Sequence, residues 1–563
     1  MAAELTPIEA RTQDAAFVAS CSLSGLQDRL PLVWPAPPDT PPSPKKSYRS
    51  HYVYRGWEDL RDPATWEHLS HFDLILRLVD FGPLRPVLAQ CLGWTSARGW
   101  TPFDPVSIFL LISWQITNGW SRAETLRNLR NPHFVDDARR FGFENGVFPT
   151  EGGMRYWLTA FGQHSTDGET VLVDEEQQIE VVIQHLNQLL AQSVALLVEN
   201  GFVSPEAWNK ALICPDGMIQ DAASRMRCAS VQDTCYQPTA PDAPRPCPAQ
   251  EKGRRGCDCD TTACAATCQY ATPRDPQARF IWYTGSNQTR HNPNQFTDPD
   301  QAPKKRGQPR YGYRSLPLLL AESSRRFSLV LLDDFLSANR REEIPFTALL
   351  CQLPTFYPDL HVDAVAGDAG FGYDIVLRTV YHALHARRVI DLRAHTSDRD
   401  KTLWPTRGYD DKGRPICPFG YALKANGFDF DRQRHKWVCF HACRNGATPA
   451  VSIPTVTYPP DECPYLDLTY GQIINLGERF KQDDSIRLVR DVPVGTPAWK
   501  RLYHRARNAA EGRNSAFQRW HLKRLPVYGH LRGRALTFLA DVWLNLTTLA
   551  RLVREATAAT GGI

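Results

Sequence analysis

The sequence lacks any apolar run long enough to cross a membrane. Its longest run, residues 107–114, is far below the roughly 20 residues that a membrane-spanning helix needs. An apolar stretch near the C-terminus is interrupted by Asp541, Asn545 and Arg551. The N-terminal segment carries acidic residues where a secretory signal would carry basic ones, and no long apolar segment follows. We therefore expect a soluble, cytoplasmic protein with no membrane partner.

The sequence also lacks an excess of charge of one sign. Its 65 Lys and Arg residues nearly balance its 61 Asp and Glu residues, so the formal net charge is +4. Apolar residues make up 42% and charged residues 22% of the chain, which is typical of a globular protein and excludes a fully disordered, collagen-like or coiled-coil chain. At roughly 100–200 residues per domain, the 563 residues predict about three or four domains.

Cysteine is plentiful, with 15 residues, but most of it is concentrated in two groups. In a cytoplasmic protein thiols are reduced, so clustered cysteines suggest a metal before a disulfide. Four thiolates suit a tetrahedral structural Zn²⁺, and ordinary buried or free thiols are the alternative. We predict zinc at the group of four and consider it for the group of seven, whose spacing matches no standard zinc finger. The first comprises Cys417, Cys439, Cys443 and Cys463, and the second Cys228, Cys235, Cys247, Cys257, Cys259, Cys264 and Cys268.

The N-terminal third divides into a proline-rich part and a helical part. Residues 1–50 contain many prolines, which fit neither a helix nor a central strand, so we predict a disordered tail. Residues 51–165 are predicted to form a helical domain. Within it, Asp104 before a proline is a typical helix start, and Ser121 with Glu124 forms a capping-box pattern at the next helix. The two helices fit a DNA-binding helix-turn-helix unit, but a helical bundle without a DNA role is the simpler interpretation.

The middle of the chain alternates strand and helix patterns. Residues 166–210 are predicted to be connecting helices, the longest of them amphipathic over 174–199. The next segments follow the order strand, strand, strand, helix, strand, helix, strand, which predicts a mixed sheet with helices packed on it. They are 211–219, 311–323, 326–334, 342–353, 362–372, 374–388 and 389–394. Two Cys-containing insertions, 225–309 and 395–498, interrupt this order, and residues 499–556 are helical and basic.

Three acidic residues stand at positions that suit catalysis. Asp216 ends the first of these strands, Asp368 ends a later one, and Glu511 lies in the C-terminal helical block. Between Asp491 and Asp541, Glu511 is the only acid among ten Lys and Arg residues. Taken singly, an Asp after a strand is more often a turn residue, and a Glu in a basic helix an ion-pair partner. Taken together, they predict a two-metal site for phosphodiester chemistry, in which carboxylates hold Mg²⁺ and the surrounding bases hold a phosphate backbone.

These segments resemble the DDE transposases of bacterial insertion sequences, which have a ribonuclease H-like catalytic core. ICPDGMIQDAAS is similar to the family's first-Asp block and AVAGDAGFGYD to its second-Asp block. LYHRARNAAEGRNSAFQRWHLKR resembles the signature Tyr-x2-Arg-x3-Glu-x6-Lys, with His504 at the Tyr position and Gln518 at the Lys position. The resemblance covers most of residues 99–555, including a strand at 309–320, a segment at 333–343 and a helical N-terminal domain at 99–162.

The resemblance implies a fold and a site. The fold is α/β, a ribonuclease H-like mixed sheet with flanking helices, preceded by the all-α domain and built from residues 211–224, 310–394 and 499–556. Asp216, Asp368 and Glu511 are then the catalytic triad, which holds two Mg²⁺ or Mn²⁺ ions. The residues implied to bind DNA are His504, Arg505, Arg507, Arg513, Gln518, Lys523 and Arg524.

The resemblance also implies an activity and partners. The activity is that of a transposase, which cleaves transposon ends and joins the freed 3′-hydroxyl to target DNA. The partners are double-stranded DNA, both terminal inverted repeats and target, and a second copy of the chain, in the bacterial cytoplasm at the nucleoid. Two alternatives stay open: a catalytically retired, zinc-containing DNA-binding protein, and a stand-alone ribonuclease H-like nuclease.

Overall fold

The computed structural model shows a mixed α/β protein in which helices flank several sheets. The described residues include most of the helical N-terminal region, the predicted α/β region and the C-terminal helices. They are residues 19–37, 40–45, 47–56, 60, 68–94, 96–144, 146–163, 170–174, 177–181, 184–223, 275, 277–283, 308–322, 326–390, 417, 421–429, 434–438, 448, 473–474 and 497–560.

Thirteen α-helices lie in this part of the chain. Seven precede residue 165 and form the helical region, and the last two form the C-terminal block. The helices are α1 (Leu23–Leu26), α2 (His71–Leu78), α3 (Leu84–Cys91), α4 (Pro105–Asn118), α5 (Arg122–Leu129), α6 (Val135–Arg140), α7 (Glu151–Phe161), α8 (Gln184–Glu199), α9 (Pro205–Asn209), α10 (Glu343–Phe356), α11 (Asp374–His382), α12 (Pro497–Arg519) and α13 (His530–Ala559).

Sixteen strands in the same residues form five sheets. Most of them are short. The strands are β1 (Leu32–Val33), β2 (Val79–Asp80), β3 (Thr170–Asp174), β4 (Gln177–Val181), β5 (Ala211–Pro215), β6 (Met218–Asp221), β7 (Arg279–Tyr283), β8 (Gln308–Ser315), β9 (Leu318–Ala321), β10 (Ser328–Leu332), β11 (Phe335–Ser337), β12 (Val362–Gly367), β13 (Arg387–Ile390), β14 (Lys424–Asp429), β15 (Arg434–Val438) and β16 (Ile473–Ile474).

The central sheet has five strands in the order β10-β9-β5-β12-β13. β9 is antiparallel to both β5 and β10, whereas β12 is parallel to both β5 and β13. With α10 and α11 between them, these strands follow the predicted order of strands and helices, which is confirmed. They are buried almost throughout because helices cover the sheet. α12 packs on β5, β9 and β12, and α8 and α13 pack on β10.

Two predicted strands are wrong as single strands. The segment 311–323 divides at Pro317 into β8 and β9, and the segment 211–219 divides at Asp216 into β5 and β6. β8 and β6 belong to a second sheet of order β11-β8-β6, in which β7 also pairs with β8. Pro317 has no N–H to donate to a strand ladder, and its carbonyl instead accepts a hydrogen bond from the Asp216 N–H.

The helical region confirms the predicted helix starts. The Asp104 side chain accepts from the N–H of Val106, and the Ser121 side chain accepts from the N–H of Glu124. Gly119 adopts a left-handed φ of 66° in the turn between α4 and α5. α4 is buried along nearly its whole length and packs against α13, as do α2 and α7. This burial favours the helical-bundle interpretation for α4.

The prediction of a disordered tail over residues 1–50 is wrong for most of the segment from residue 19 onward. β1 pairs in parallel with β2, and Leu26, Leu32 and Trp34 are buried. The indole N–H of Trp34 donates to the side-chain oxygen of Gln192 in α8 at 2.9 Å. Proline is compatible with the extended backbone of an edge strand, and the apolar residues between the prolines supply the burial energy that holds the segment in place.

The predicted helix over 174–199, within the predicted connecting helices of 166–210, is wrong at its start. β3 and β4 form an antiparallel hairpin over residues 170–181, and α8 begins only at Gln184. The hairpin sequence places β-branched residues two apart, as at Ile179 and Val181, and this alternation suits a strand better than a helix. Asp174, the first of the acidic residues that resemble a helix start, instead ends β3 and pairs with Gln177 of β4.

α13 is long and apolar enough to cross a membrane, and no other helix in the described residues is. However, 83% of its most apolar stretch is buried inside the protein. Its Trp543 stacks on Phe72 and Phe81. Asp541 and Asn545, which interrupt the apolar pattern, are buried and hydrogen-bonded. α13 is therefore the core helix of the bundle, which is compatible with a soluble protein.

Most of the predicted zinc ligands lie outside the described residues. This is true of the whole group of seven between Cys228 and Cys268, and of Cys439, Cys443 and Cys463. Cys417 is described and is buried. In the same insertion, β14, β15 and β16 form a three-stranded antiparallel sheet. Zinc at either group stays a prediction.

Candidate functional site

Asp216 and Asp368 follow two neighbouring parallel strands of the central sheet. β5 ends at Pro215 and β12 ends at Gly367, so each aspartate is the first residue beyond its strand. The carboxyl ends of parallel strands meet at one edge of a sheet, which is where ligands usually bind. Both aspartates line one narrow cleft at this edge. The cleft is completed by residues of β5 and of α12, including Cys214, Tyr503, Ala506, Arg507 and Ala510.

Each of these aspartates has one carboxylate oxygen fixed by a hydrogen bond. The side-chain amide of Asn514 donates to Asp216 Oδ2 at 2.5 Å. The N–H of Gly370 donates to Asp368 Oδ1 at 2.8 Å and thereby begins a short turn of 3₁₀-helix. These bonds orient both carboxylates at the sheet edge. Asn514 was not predicted from the sequence, although it lies three residues after Glu511 on the same helix face.

α12 crosses this edge and supplies the third predicted acid. Tyr503, Ala506 and Ala510 recur at helical spacing and face the cleft. The carbonyl of Ala506 accepts from the Cys214 thiol of β5 at 3.1 Å, so helix and strand are in direct contact. Glu511 lies at the outer side of this face, with 64% of its side chain exposed.

Arg507 lies among all three predicted acids. Its Nη1 is 3.9 Å from Asp368 Oδ2, and its Nε is 3.3 Å from Glu511 Oε1. Burial alone would lower the pKa of Arg507, but the charges of Asp216, Asp368 and Glu511 together raise it. The structure therefore brings the three acids, which come from separate segments of the chain, around one cation.

The donor set of the cleft suits a hard divalent cation. Burial raises the pKa of Asp216, Asp368 adds to the rise, and Asn514 and Arg507 oppose it. A divalent cation beside the two aspartates would offset this cost of burying negative charge. In the described residues, no three His, Cys, Asp or Glu side chains are grouped closely enough to hold a metal ion as the side chains stand. Asp216, Asp368 and Glu511 are the residues that would hold one.

A fourth carboxylate, Glu342, lies beside the loops that carry Asp216 and Asp368, and it was missed in the sequence. Burial raises its pKa, and the charges of Asp368 and Asp216 raise it further, whereas Arg314, at 3.0 Å, opposes the rise. Glu342 comes so close to the Asp216 loop that a Cβ at Gly217 would lie 2.5 Å from its Oε1. The available signal was the Asp-Gly pair after β5 combined with an acid immediately before α10.

Arg513, predicted to bind DNA, lies in the core instead. Its guanidinium donates two bonds of 2.7 Å to Asp541 and further bonds to Asp333 and to Ser315. Only 1% of the Arg513 side chain is exposed, and both aspartates are fully buried. DNA does not reach this position, so the prediction for Arg513 is wrong. Residue 513 faces α13 and the second sheet, whereas Arg507 lines the cleft and pairs with Glu511 at its outer side.

The other predicted DNA-binding residues differ in their surroundings. Arg505 is half-buried and donates to the carbonyl of Ala321 at the end of β9, so it ties α12 to the central sheet. His504 is exposed. Gln518, Lys523 and Arg524 line a groove at the C-terminal end of α12. DNA contact by these five residues and by Arg507 stays a prediction.

Comparisons with protein-family models, with curated proteins and with solved structures give no match to this chain. What the protein does is therefore inferred from its own residues. These form an acidic cleft at the edge of a mixed sheet, crossed by a helix that carries both an acid and several exposed bases.

Proposed function

We propose that this chain is a DNA transposase of the DDE class, which cleaves transposon ends and joins the freed 3′-hydroxyl to target DNA. The observation that carries the proposal is the convergence of Asp216, Asp368 and Glu511 on Arg507 at one edge of the central sheet. Two of the acids directly follow β5 and β12 and the third lies in α12, so only the folded chain brings them together. Phosphodiester chemistry is the reaction that a cluster of carboxylates beside exposed bases suits best.

The central sheet supports a ribonuclease H-like core. Its order β10-β9-β5-β12-β13, with three antiparallel strands followed by two that continue in parallel, is the arrangement expected for such a core. α12 then lies over the sheet edge at which β5 and β12 end. In this arrangement two acids come from strand ends and the third from a helix, as the resemblance implies.

In the proposed reaction the acids would hold two Mg²⁺ or Mn²⁺ ions, which activate the attacking water or 3′-hydroxyl and stabilise the leaving oxygen. Asp216 and Asp368 would act from the sheet edge and Glu511 from α12. Asn514 keeps one oxygen of Asp216 in a fixed position. This hydrogen bond limits the reorganisation that the Asp216 carboxylate undergoes during the reaction.

Arg507 would exchange partners during this reaction. Without DNA it neutralises Asp368 and Glu511. A guanidinium binds a phosphate as well as a carboxylate, often through two parallel hydrogen bonds. A scissile phosphate that enters the cleft would therefore draw Arg507 away from the acids and free them to bind cations.

The proposal includes the partners expected from the sequence. These are double-stranded DNA with terminal inverted repeats, target DNA and a second copy of the chain. The exposed bases near the cleft and at the end of α12 provide surface for a phosphate backbone; they are Lys500, Arg501, Arg507, Arg519 and Arg524. A location at the bacterial nucleoid and structural zinc in the two cysteine groups belong to the same proposal.

A strand-cleavage assay tests the proposal. The purified chain is incubated with a duplex that carries the DNA flanking its own coding region, with either Mg²⁺ or EDTA. We expect Mg²⁺-dependent nicking at a repeat end, followed by joining to a target plasmid. Asp216→Asn, Asp368→Asn and Glu511→Gln should each lower cleavage by at least about 100-fold, on the order expected when transition-state charge stabilisation is lost. Glu206→Gln changes an exposed acid of α9, which precedes the opposite end of β5 from Asp216, and it is the matched control. Near-normal cleavage by any triad variant would reject the proposal.

One observation favours the alternative of a catalytically retired DNA-binding protein. Arg507 already compensates the charge of Asp368 and Glu511, as it would in a purely structural ion pair. In that case the wild-type chain would bind the terminal repeats but would not nick them with Mg²⁺ or Mn²⁺. Nicking without joining would instead select a stand-alone nuclease.

A further inference from the structure

A groove of about 680 Å³ separates the helical N-terminal region from the C-terminal end of α12. Its volume lies within the range typical of binding sites, roughly 300–1,000 Å³. One wall is the turn between α4 and α5, and the other is the chain that follows α12. The residues used below are Trp120 and Ser121 on the first wall and Gln518, Trp520, Lys523 and Arg524 on the second.

The groove has aromatic walls. Trp120 is held edge-on by Trp114, at 4.7 Å between ring centroids, and by Phe134, at 6.0 Å. Trp520 faces the groove from the opposite side, with Phe517 behind it at 6.3 Å. Half-exposed indoles beside exposed basic side chains are typical of surfaces that bind nucleic acid. Sugars and nucleobases pack on the aromatic rings, while Lys and Arg side chains hold the phosphates.

A cluster of three arginines adjoins the groove at the start of α5. Arg122 follows Ser121 in the chain, and its Nε and Nη1 atoms are buried yet find no hydrogen-bond partner in the described part of the chain. Burial lowers the pKa of Arg122, and the charges of Arg155 and Arg532 lower it further, while Glu151 opposes them. The three guanidinium groups come from α5, α7 and α13. A buried donor without an acceptor is costly, and an anion placed among these arginines would satisfy it.

The groove begins close to the proposed catalytic cleft. Gln518, which lines the groove, lies one helical turn beyond Asn514, which bonds to Asp216. Four residues of helix correspond to an axial rise of about 6 Å. Phosphates of one DNA strand are spaced about 3.4 Å apart along the duplex axis. A strand that leaves the cleft along α12 would therefore reach the groove within about two nucleotides.

We propose that this groove and the adjoining Arg122, Arg155 and Arg532 bind the backbone of the DNA strand that leaves the catalytic cleft, with one phosphate among the three arginines. The inference rests on the proposed function, because it uses the cleft as its reference point. It assigns DNA contact to the junction between the helical region and the catalytic region, and not to the buried helix α4. The N-terminal region would then help to hold DNA at the active site.

The test measures the salt dependence of DNA binding by the full chain. A fluorescein-labelled 20-base-pair duplex of unrelated sequence is titrated in EDTA, at KCl concentrations from 50 to 200 mM, and followed by anisotropy. We expect Arg122→Gln to reduce the slope of log K against log[KCl] by about 0.9, the value of one lost phosphate contact. The factor by which DNA affinity decreases between 50 and 200 mM KCl would then be about 3.5-fold smaller for the variant than for the wild type.

Two further variants make the measurement specific. Arg155→Gln changes an exposed member of the cluster and should reduce the slope by the same amount, so the test survives if Arg122→Gln folds poorly. Arg139→Gln removes a base of the same region that pairs with Asp136, and it should leave the slope unchanged. An unchanged slope for Arg155→Gln, in a folded variant, would overturn the proposal.

Inorganic phosphate distinguishes a DNA site from a site for a free anion. Calorimetric titration of the wild type with phosphate should show at most weak binding, and 10 mM phosphate should lower DNA affinity no more than the same ionic strength of KCl. If phosphate binds tightly and Arg122→Gln abolishes this without changing the DNA slope, the DNA assignment is wrong. Every binding measurement is made in EDTA and so does not depend on metal-dependent cleavage. Failure of the groove proposal can therefore be distinguished from failure of the proposed function, which the cleavage assay with the triad variants tests.

Discussion

The buried arginine of α12 provides the sharpest test of the fold. Arg513 is enclosed with Asp333 and Asp541, and these three charges are almost completely removed from solvent. Replacing Arg513 with Met would keep most of its volume but leave two carboxylates buried without a cation. Breaking a buried ion pair in this way costs about 3–5 kcal/mol. This is a large part of the free energy of unfolding of a typical protein, which is ~5–15 kcal/mol.

The assay is urea unfolding followed by tryptophan fluorescence. We expect Arg513→Met to lower the free energy of unfolding by about 3–5 kcal/mol at pH 8. The exposed Arg519→Met, on the same helix, should change it by less than about 0.5 kcal/mol. Burial raises the pKa of Asp333, and the charge of Arg513 opposes this rise. In Arg513→Met this opposition is lost, so the Asp333 carboxyl of the folded variant binds its proton more tightly. Stability associated with the protonated form is present at low pH and lost as pH rises, and we therefore expect the defect to be smaller at pH 5 than at pH 8.

The double variant Arg513→Met with Asp541→Asn separates the cause from a simple packing defect. It removes one of the two stranded charges, so it should be more stable than Arg513→Met alone. If Arg513→Met unfolds at the same urea concentration as Arg519→Met, the reasoning from the buried network is refuted. If it keeps its stability but binds DNA more weakly, Arg513 is a DNA contact after all.

Three further predictions concern other parts of the chain. Trp34→Ala should lower the free energy of unfolding by about 3–5 kcal/mol because it leaves a cavity at a buried site, whereas Val33→Ala, at an exposed position, should have little effect. Both variants are measured by urea unfolding, and equal effects would mean that residues 19–37 are not packed on the rest of the protein. Burial, followed by Asp73, raises the pKa of Asp137 to about 6, so the stability that this group contributes should fall as pH rises from about 4 to 6, since the folded state binds this proton more tightly. Asp137→Asn should remove this fall and gain about 1 kcal/mol at pH 7, after allowance for partial exposure, and thermal melts at pH 4 and 7 that show no difference between the two chains would contradict it. Glu342→Gln should lower Mg²⁺-dependent cleavage about tenfold, as expected for a group beside metal ligands, without loss of DNA binding, and unaltered cleavage would remove it from the site.

The elements that were predicted correctly are those whose signals are local. A few adjacent residues determine the Asp104 cap, the Ser121 cap and the ends of β5 and β12. The order of strands and helices followed from these signals, and it was enough to place Asp216 and Asp368 at one edge of a sheet.

The errors concern properties that depend on distant residues. Arg513 has the composition of a DNA contact, but Asp541 and Asp333 draw it into the core. The division at Pro317 depends on which sheet each half of the segment joins, and the order of residues 19–37 depends on packing against α8 and β2. Glu342 was missed because only the folded chain places it beside Gly217, more than 100 residues away in the sequence.

The anchoring of α12 has a consequence for how this protein can change over evolution. Glu511 is placed by contacts that α12 makes itself, through Arg505 to β9, Asn514 to Asp216 and Arg513 to α13. None of these three contacts involves a residue between β13 and α12. We therefore expect changes in the length of segment 395–498 to leave the third acid in place, and we expect α12 with α13, supplied as a separate polypeptide, to reassemble with the rest of the chain.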